Sequence, residues 1–232
     1  MKIKQFRYAA DNLGYLIHTE THGMAVDAGA AADTLAFARQ TGIEISYVTN
    51  THGHHDHTPG NETLLAQTNA QFLDCAGITG DTQITLGSET VLAFPTPGHT
   101  RDSICFYADG FLVTGDTLFN ATVGNCFSGD LNAFYHSLKR LMEFPAETRI
   151  FAGHDYVAES IQVARLMEPD NPDIDTYMDR YDSQCVVSKI GDELRVNPYL
   201  RFNTDSLVAR MKGRQLPVDT EEERFVSLME HF

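Results

Sequence analysis

The sequence has few basic residues. It contains 17 Lys and Arg against 32 Asp and Glu in 232 residues, which gives a formal net charge of -15. A nucleic-acid partner is not expected, because such partners are bound largely by neutralising phosphates and the few basic residues are scattered. The chain also lacks the run of roughly 18 apolar residues that crosses a bilayer. Its amino terminus reaches Asp11 and Asn12 before an apolar signal segment forms. We therefore expect a cytoplasmic protein without membrane or nucleic-acid partners.

Cysteine is scarce as well. The four residues of this type, Cys75, Cys105, Cys126 and Cys185, form no CxxC pair or other metal-binding spacing. Buried free thiols are the default for such cysteines in a reducing compartment, and we interpret them in that way. The sequence does not indicate an oligomeric state.

Short apolar runs bounded by Gly, Pro, Asn and Asp occupy most of the chain up to residue 151. They predict strands at 14–18, 24–26, 45–49, 71–73, 90–94, 103–107, 111–114 and 149–151. Helical periodicity and end signals predict helices at 31–40, 59–67, 131–143 and 157–167. Strands mixed with helices favour a layered α/β fold in which helices cover the faces of sheets.

The composition changes at Glu168, where an acidic stretch rich in Asp and Pro begins and the strand pattern stops. We predict a boundary near residue 166. An α/β domain would then span 1–165, and a helical C-terminal region would span 166–232 with helices at 174–182 and 221–230.

The strongest chemical signal is the segment Thr51-His52-Gly53-His54-His55-Asp56-His57. In an extended chain, residues two apart project to one side, so His52, His54 and Asp56 can share a face. His55 points away from that face and is left out of the predicted ligand set.

His57 breaks this two-residue alternation. It can still reach the same site if the chain turns into a helix there, and Thr58-Pro59 offers an N-cap and a first-turn proline for that helix. The positive end of the helix would then point toward the site.

Three further candidate ligands, His99, Asp116 and His154, each follow a predicted strand and a glycine. Loops at one edge of a rigid sheet converge on a common site. Taken singly, each residue would more often have an ordinary structural role, but together with the segment at 52–57 they predict a metal site. Imidazole and carboxylate donors suit Zn or Fe. The remaining histidines, His18, His22, His136 and His231, have no ligand context and are interpreted as structural or surface residues.

The order of these residues resembles the metallo-β-lactamase superfamily, whose pattern is HxHxDH followed by a distant His, Asp and His. Within it, the chain is most similar to the hydroxyacylglutathione hydrolases, or glyoxalase II enzymes. The matching segments are THGHHDHTPGN, TPGHTRDSICFY, VTGDTLF, AGHDY and NPYLR. The resemblance implies an αββα sandwich with a small helical C-terminal region.

The resemblance also implies two divalent metal ions, with Zn first and Fe or Mn as alternatives. One ion would be bound by His52, His54 and His99, the other by Asp56, His57 and His154, and Asp116 would bridge them. Asp56 and Asp116 would be the catalytic carboxylates, and Asp27 resembles an Asp that supports the site from behind the ligands.

For substrate binding, the resemblance implies roles for Asn125, Phe127 and Tyr156. The chain departs from the family pattern at Asn125, where a basic residue is usual, and at Cys126, where an aromatic residue is usual. Glu221 to Glu223 stand where the family has Arg and Lys near the start of the last helix. Carboxylates here would repel those of glutathione, so these positions do not favour that thiol.

The predicted activity is hydrolysis of a small thioester or related ester. Two cations about 3.5 to 4 Å apart can share a hydroxide at neutral pH, and this hydroxide would attack the carbonyl carbon. An alternative is a persulfide dioxygenase, a relative that uses one Fe bound by two His and one Asp; the second ligand set disfavours it. A metal-binding protein without enzymatic activity is a third possibility.

Overall fold

Two β-sheets face each other in the structure, a computed structural model that describes residues 1–232. The strands are β1 (Lys2–Tyr8), β2 (Asn12–His18), β3 (His22–Val26), β4 (Glu44–Thr49), β5 (Gln71–Leu73), β6 (Thr82–Leu86), β7 (Glu89–Pro95), β8 (Ile104–Ala108), β9 (Phe111–Gly115), β10 (Arg149–Ala152) and β11 (Ser188–Lys189). The helices are α1 (Ala31–Thr41), α2 (Asn61–Gln67), α3 (Leu131–Met142), α4 (Val157–Met167), α5 (Asp173–Met178), α6 (Ile190–Val196), α7 (Asp205–Gly213) and α8 (Glu221–His231).

The first sheet has the strand order β1-β2-β3-β4-β5, and the second has the order β11-β10-β9-β8-β7-β6. Pairing is parallel between β3 and β4, between β4 and β5, and between β9 and β10, and antiparallel elsewhere. Both sheets therefore mix parallel and antiparallel strands, as expected where helices cover their outer faces.

Strand β2 shows how the sequence builds the layers. Every residue of this strand is buried, because both faces of the sheet are covered. Leu13, Tyr15 and Ile17 point into the core between the sheets, and Leu16 points the other way, toward α1. Alternate side chains thus serve two different hydrophobic cores.

Helices cover the outer face of each sheet. On the first sheet, Leu35 of α1 and Leu64 of α2 pack with strand residues such as Val48. On the second sheet, Phe134 of α3 and Phe225 of α8 join Phe94, Leu112 and other strand residues in one buried cluster. The layers run helix, sheet, sheet, helix, which confirms the predicted αββα sandwich.

Several elements differ from the sequence predictions. Strands β1, β6 and β11 and helices α6 and α7 were not predicted. The first strand alternates charged and apolar residues at the edge of its sheet, so it lacks the apolar run by which buried strands are recognised. Helix α5 ends at Met178, four residues before the predicted end.

The predicted start of α2 was wrong. The helix begins at Asn61 after Gly60, without a side-chain cap. Thr58 and Pro59 lie in a turn instead, where the Asn61 amide donates to the Thr58 carbonyl at 3.1 Å. His57 therefore lies in a turn rather than in the first turn of a helix.

The C-terminal region packs on the second sheet through contacts of α8 with α3. Within this region, a partly buried ion pair joins the end of α4 to the segment before α7: the Arg201 guanidinium donates to both carboxylate oxygens of Glu168, at 2.5 and 3.0 Å. The boundary near residue 166 stays a prediction. None of the helices is long and apolar enough to span a membrane.

All four cysteines are free thiols, but the prediction that they are buried was right only in part. Cys75 and Cys105 are buried, Cys126 is half-buried and Cys185 is exposed. Cys185 lies in the acidic segment before β11, outside the apolar cores.

Candidate metal centre

The seven predicted ligands lie in loops at one edge of the sandwich. The segment from His52 to His57 follows β4 of the first sheet. His99, Asp116 and His154 follow β7, β9 and β10 of the second sheet. Both sheets thus contribute to a single cluster of side chains.

The first group of donors contains His52, His54, His99 and Asp116, whose nearest donor atoms all lie within 4.8 Å of one another. The Nδ1 atom of His54 lies 2.9 Å from His52 Nε2 and 3.1 Å from His99 Nε2. Three imidazole nitrogens therefore converge on one point.

The second group contains Asp56, His57 and His154, again with donor atoms within 4.8 Å of one another. The Oδ2 atom of Asp56 lies 3.2 Å from His154 Nε2 and 3.7 Å from His57 Nε2. His57 and His154 are buried, whereas the Asp56 side chain is half-exposed at the mouth of the site.

Asp116 lies between the two groups and contacts both. Its Oδ1 atom is 3.3 Å from His57 Nε2, and its Oδ2 atom is 3.5 Å from both His99 Nε2 and His154 Nε2. A carboxylate placed in this way can offer one oxygen to each of two cations.

The donor atoms fit a divalent cation. The Nε2 atom of His57 and the Oδ1 atom of Asp116 are buried without a hydrogen-bond partner. Buried polar atoms without partners are rare and costly in proteins. A bound cation would satisfy the lone pairs of His57 Nε2 and Asp116 Oδ1, and imidazole with carboxylate suits Zn or Fe. The fold and this cluster together indicate a divalent metal site.

Electrostatics divide the histidines into two classes. Burial, with the nearby His57, lowers the pKa of His52 to about 4, and burial also lowers the pKa of His99. Burial opposes protonation of His57 too, but the carboxylates of Asp27 and Asp116 outweigh it and raise its pKa to about 11. Likewise, burial disfavours the charged form of Asp116, but His154 and His57 hold its pKa well below the usual range.

Asp27 lies directly behind the ligands and is completely buried. Its Oδ2 atom is 3.1 Å from His57 Nδ1 and accepts a hydrogen bond from the Thr51 hydroxyl at 2.7 Å. The Thr51 hydroxyl in turn lies 3.1 Å from His52 Nδ1. Asp27 thus contacts one ligand directly and a second through Thr51.

The turn after β1 and the start of β2 supply two residues, Asp11 and Asn12, that the sequence analysis did not assign to the site. The Nδ1 atom of His154 lies 3.0 Å from Asp11 Oδ1, and the Asn12 amide donates to Asp56 Oδ2 at 3.1 Å. The only signal in the sequence is an Asp-Asn pair shortly before the predicted strand at 14–18, which ordinarily indicates a turn.

Aromatic side chains surround the mouth of the site. Phe127 is 66% exposed, and its ring centre lies 5.7 Å from that of His54 and 5.2 Å from that of His99. Tyr156 stacks on His154, with ring centres 4.9 Å apart and planes 6° from parallel. Phe119, which the sequence analysis missed, contacts both His154 and Tyr156 edge-on.

The other predicted substrate residue, Asn125, acts in the structure through its backbone, because its carbonyl lies 2.9 Å from His99 Nδ1. Burial and the nearby Asp11 and Asp116 raise the pKa of Tyr156 to about 12, so its hydroxyl stays protonated. His55 is exposed and belongs to neither donor group.

Two family profiles match the chain. The profile of the metallo-beta-lactamase superfamily matches residues 11–72 and 76–154, and the profile of the hydroxyacylglutathione hydrolase C-terminus matches residues 155–230. The chain belongs to the metallo-β-lactamase superfamily. Both profiles together cover nearly the whole sequence, so the C-terminal region is part of the likeness.

Curated members of this superfamily named hydroxyacylglutathione hydrolase are similar over most of their length. The protein from Maricaulis maris is 34% identical, with 97% of this chain and 95% of that protein covered. The protein from Polaromonas is 35% identical, with 87% of this chain and 85% of that protein covered. The chain is therefore a metal-dependent hydrolase of the glyoxalase II type.

Solved structures of the superfamily share the fold at lower identity. ETHE1 from Myxococcus xanthus has a TM-score of 0.73 at 22% identity, with 100% of this chain and 91% of that chain covered. The BLEG-1 B3 metallo-beta-lactamase has a TM-score of 0.66 at 18% identity, with 86% and 99% covered. These likenesses concern the fold alone.

Proposed function

We propose that the protein hydrolyses a hydroxyacyl thioester of a small thiol with two divalent cations. The observation that carries this proposal is the pair of donor groups joined by Asp116. The family relationship supports it, because relatives named hydroxyacylglutathione hydrolase match most of the chain.

In this proposal His52, His54 and His99 bind one cation, Asp56, His57 and His154 bind the other, and Asp116 binds both. We expect Zn first, with Fe and Mn also accommodated by these donors. When bound, the two cations would supply an activated water and positive charge at the thioester carbonyl.

The chain's own side chains position the substrate. The Tyr156 hydroxyl can donate a hydrogen bond, and stacking on His154 fixes its ring beside the second donor group. Phe127 offers an exposed apolar surface next to His54 and His99, where it can pack against the substrate. Phe119 is buried beneath Tyr156 and excludes water from that side.

The remaining question of substrate specificity is which thiol carries the acyl group. The three carboxylates at the start of α8 have partners within the protein: Glu221 accepts from Lys139 and Tyr135, Glu222 from Asn132, and Glu223 forms a capping box with Thr220. These three groups are carboxylates that hold α8 in place. They therefore provide no positive charge for the carboxylates of glutathione. We therefore propose a thiol with fewer carboxylates than glutathione.

To test this proposal, the Zn-loaded protein is incubated with a panel of thioesters. A chromogenic thiol reagent measures the thiol that is released. The panel includes S-lactoylglutathione and lactoyl thioesters of pantetheine and of N-acetylcysteamine. We expect hydrolysis, fastest for the carboxylate-free thiols. Asp116→Ala and His57→Ala should reduce turnover to background, whereas His55→Ala, at the exposed neighbouring histidine, should not.

Near-normal turnover by Asp116→Ala or His57→Ala would contradict the assignment, and so would a fully loaded chain that cleaves no thioester. Oxygen uptake with a glutathione persulfide would indicate the dioxygenase instead. The completeness of the second donor group favours the hydrolase, since an enzyme with one Fe bound by two His and one Asp does not need a second group.

We place the reaction in the cytoplasm, where the four cysteines would remain thiols.

A further inference from the structure

The two donor groups differ in the side chains that lie behind them. We infer that the group of Asp56, His57 and His154 binds a cation more tightly and fills first, and that Asp11 and Asn12, together with Asp27, are the positioning residues responsible. This inference rests on the part of the proposed function that assigns a cation to each group.

Carboxylates back the second group. The outer ring nitrogen of His154 lies 3.0 Å from Asp11 Oδ1, and the outer ring nitrogen of His57 lies 3.1 Å from Asp27 Oδ2. Asp56 is itself a charged ligand, and the Asn12 amide holds its Oδ2 atom at 3.1 Å. Each of the three donors is therefore either charged or supported by a charged group.

Only neutral groups are in direct contact with the outer ring nitrogens of the histidines of the first group. His99 Nδ1 lies 2.9 Å from the Asn125 carbonyl, and His52 Nδ1 lies 3.1 Å from the Thr51 hydroxyl. His54 contacts its neighbours through Nδ1, and no side chain or backbone group of the protein accepts a hydrogen bond from its Nε2 atom. The one carboxylate of this group is Asp116, which it shares with the other.

This difference has a direct effect on cation affinity. A carboxylate behind an imidazole fixes the ring and its tautomer and makes the facing nitrogen a stronger electron donor. The negative charge also attracts the cation itself, and this attraction is screened least at Asp27, which is fully buried. At limiting metal, the chain should thus hold its single cation beside Asp56.

The order in which the two groups bind Zn is tested by titrating the metal-free chain with Zn in a calorimeter. The wild type should show a tight event and a weaker event of one cation each. His54→Ala removes a ligand of the first group, so it should lose the weaker event and keep the tight one. His154→Ala should do the reverse. Circular dichroism of each variant shows whether the chain has kept its fold.

Variants at Asp11, in the turn after β1, and at Asn12, the first residue of β2, test the positioning residues. Asp11 is 38% exposed, so its replacement is compatible with folding. Asp11→Ala should weaken the tight event by about 10- to 100-fold and leave the weaker event unchanged. Asp11→Asn keeps a hydrogen-bond acceptor for His154 and should recover part of the loss. Asn12→Ala should weaken the same event through Asp56.

Asp102→Asn is the matched control. The Asp102 carboxylate lies beside Gly53, which belongs to the segment from His52 to His57. It contacts the Cys75 thiol rather than a ring nitrogen of a predicted ligand. Removing its charge should leave the tight event within about threefold of the wild type.

The inference is overturned if His154→Ala keeps the tight event, or if Asp11→Ala and Asn12→Ala leave it unchanged while the wild type binds two cations. The proposed function would survive either outcome. A wild-type chain that binds no Zn would instead refute the proposed function, before the order of filling is addressed.

Discussion

At the scale of single residues, the position of Asp116 depends on the missing side chain at residue 153. A Cβ atom on Gly153 would lie 2.2 Å from Asp116 Oδ1 and 2.8 Å from His57 Cε1. Because no carbon atom can approach so closely, any larger residue would displace the carboxylate that joins the two donor groups. Glycine is required here for space, next to a ligand.

We therefore expect Gly153→Ala to bind less than the two cations of the wild type and to lose at least about 100-fold in thioester turnover, since small displacements of catalytic groups cost that much. Metal analysis after gel filtration and a thiol-release assay provide the measurements. Gly80→Ala is the control, because a Cβ atom there meets nothing within 4 Å. A Gly153→Ala chain with two cations and full turnover would show that the loop can move aside.

At the scale of elements, an irregular segment joins Asp116 to Phe127 and is held by the C-terminal region. The Ala121 amide donates to Glu193 Oε2 at 2.8 Å, and the Asn197 amide donates to the Thr122 carbonyl at 2.9 Å. Ala121 has a φ of +70°, a left-handed conformation that costs free energy in a residue with a side chain. Helix α6, which carries Glu193, therefore stabilises the loop that leads to the mouth of the site.

Glu193 should make the stability of the protein depend on pH. Burial raises its pKa to about 7, and hydrogen bonds from Ser188 and Tyr177 offset this only in part. The unfolded chain ionises this group near pH 4.5. Its contribution to stability is therefore fully present below pH 4.5 and is lost as the pH rises through about 7.

Glu193→Gln removes this titration. Its melting temperature relative to the wild type should rise between pH 5 and pH 8, by the equivalent of about 1 to 3 kcal/mol. Thermal unfolding at several pH values measures the difference. Glu147→Gln provides a control, because it makes the same substitution at an exposed carboxylate on the surface. A constant difference between Glu193→Gln and the wild type would contradict the shifted pKa.

An element or site residue could be predicted from the sequence where its neighbours in the chain form a recognisable pattern. Buried strands stand out as apolar runs, and the predicted ligands His99, Asp116 and His154 stand out because each follows such a run and a glycine. Glu193 and Asp11 carry no such signal, since their partners lie 72 and 143 residues away in the chain. Contacts of this kind appear only when the topology is known, and they account for most of what the sequence analysis missed.

At the scale of the whole molecule, the metal centre joins the two sheets. Each donor group takes residues from the loop after β4 and from loops of the second sheet. A cation bound by either group therefore fastens one sheet to the other at the edge where their loops meet.

Chelation should consequently lower the melting temperature of the entire chain in one transition. A ligand that binds only the folded state stabilises it by about 2.7 kcal/mol at a concentration 100 times its Kd. In a chain of this size, removal of each cation should then lower the melting temperature by about 5 to 10 °C. Calorimetry before and after dialysis against EDTA measures the change, and added Zn should reverse it. An unchanged melting temperature would mean that the sheets do not depend on the centre.

The distribution of ligands over both sheets also constrains how the protein matures during synthesis. The loop after β4 is made early, but its donors belong to no complete group until residues from the second sheet reach them. The group that contains His154 can form only after β10, the last strand before α4, has been synthesised. A newly made chain must therefore bring its two halves together before either donor group is complete, and a nascent fragment ending before His99 would contain none of the donors of the second sheet.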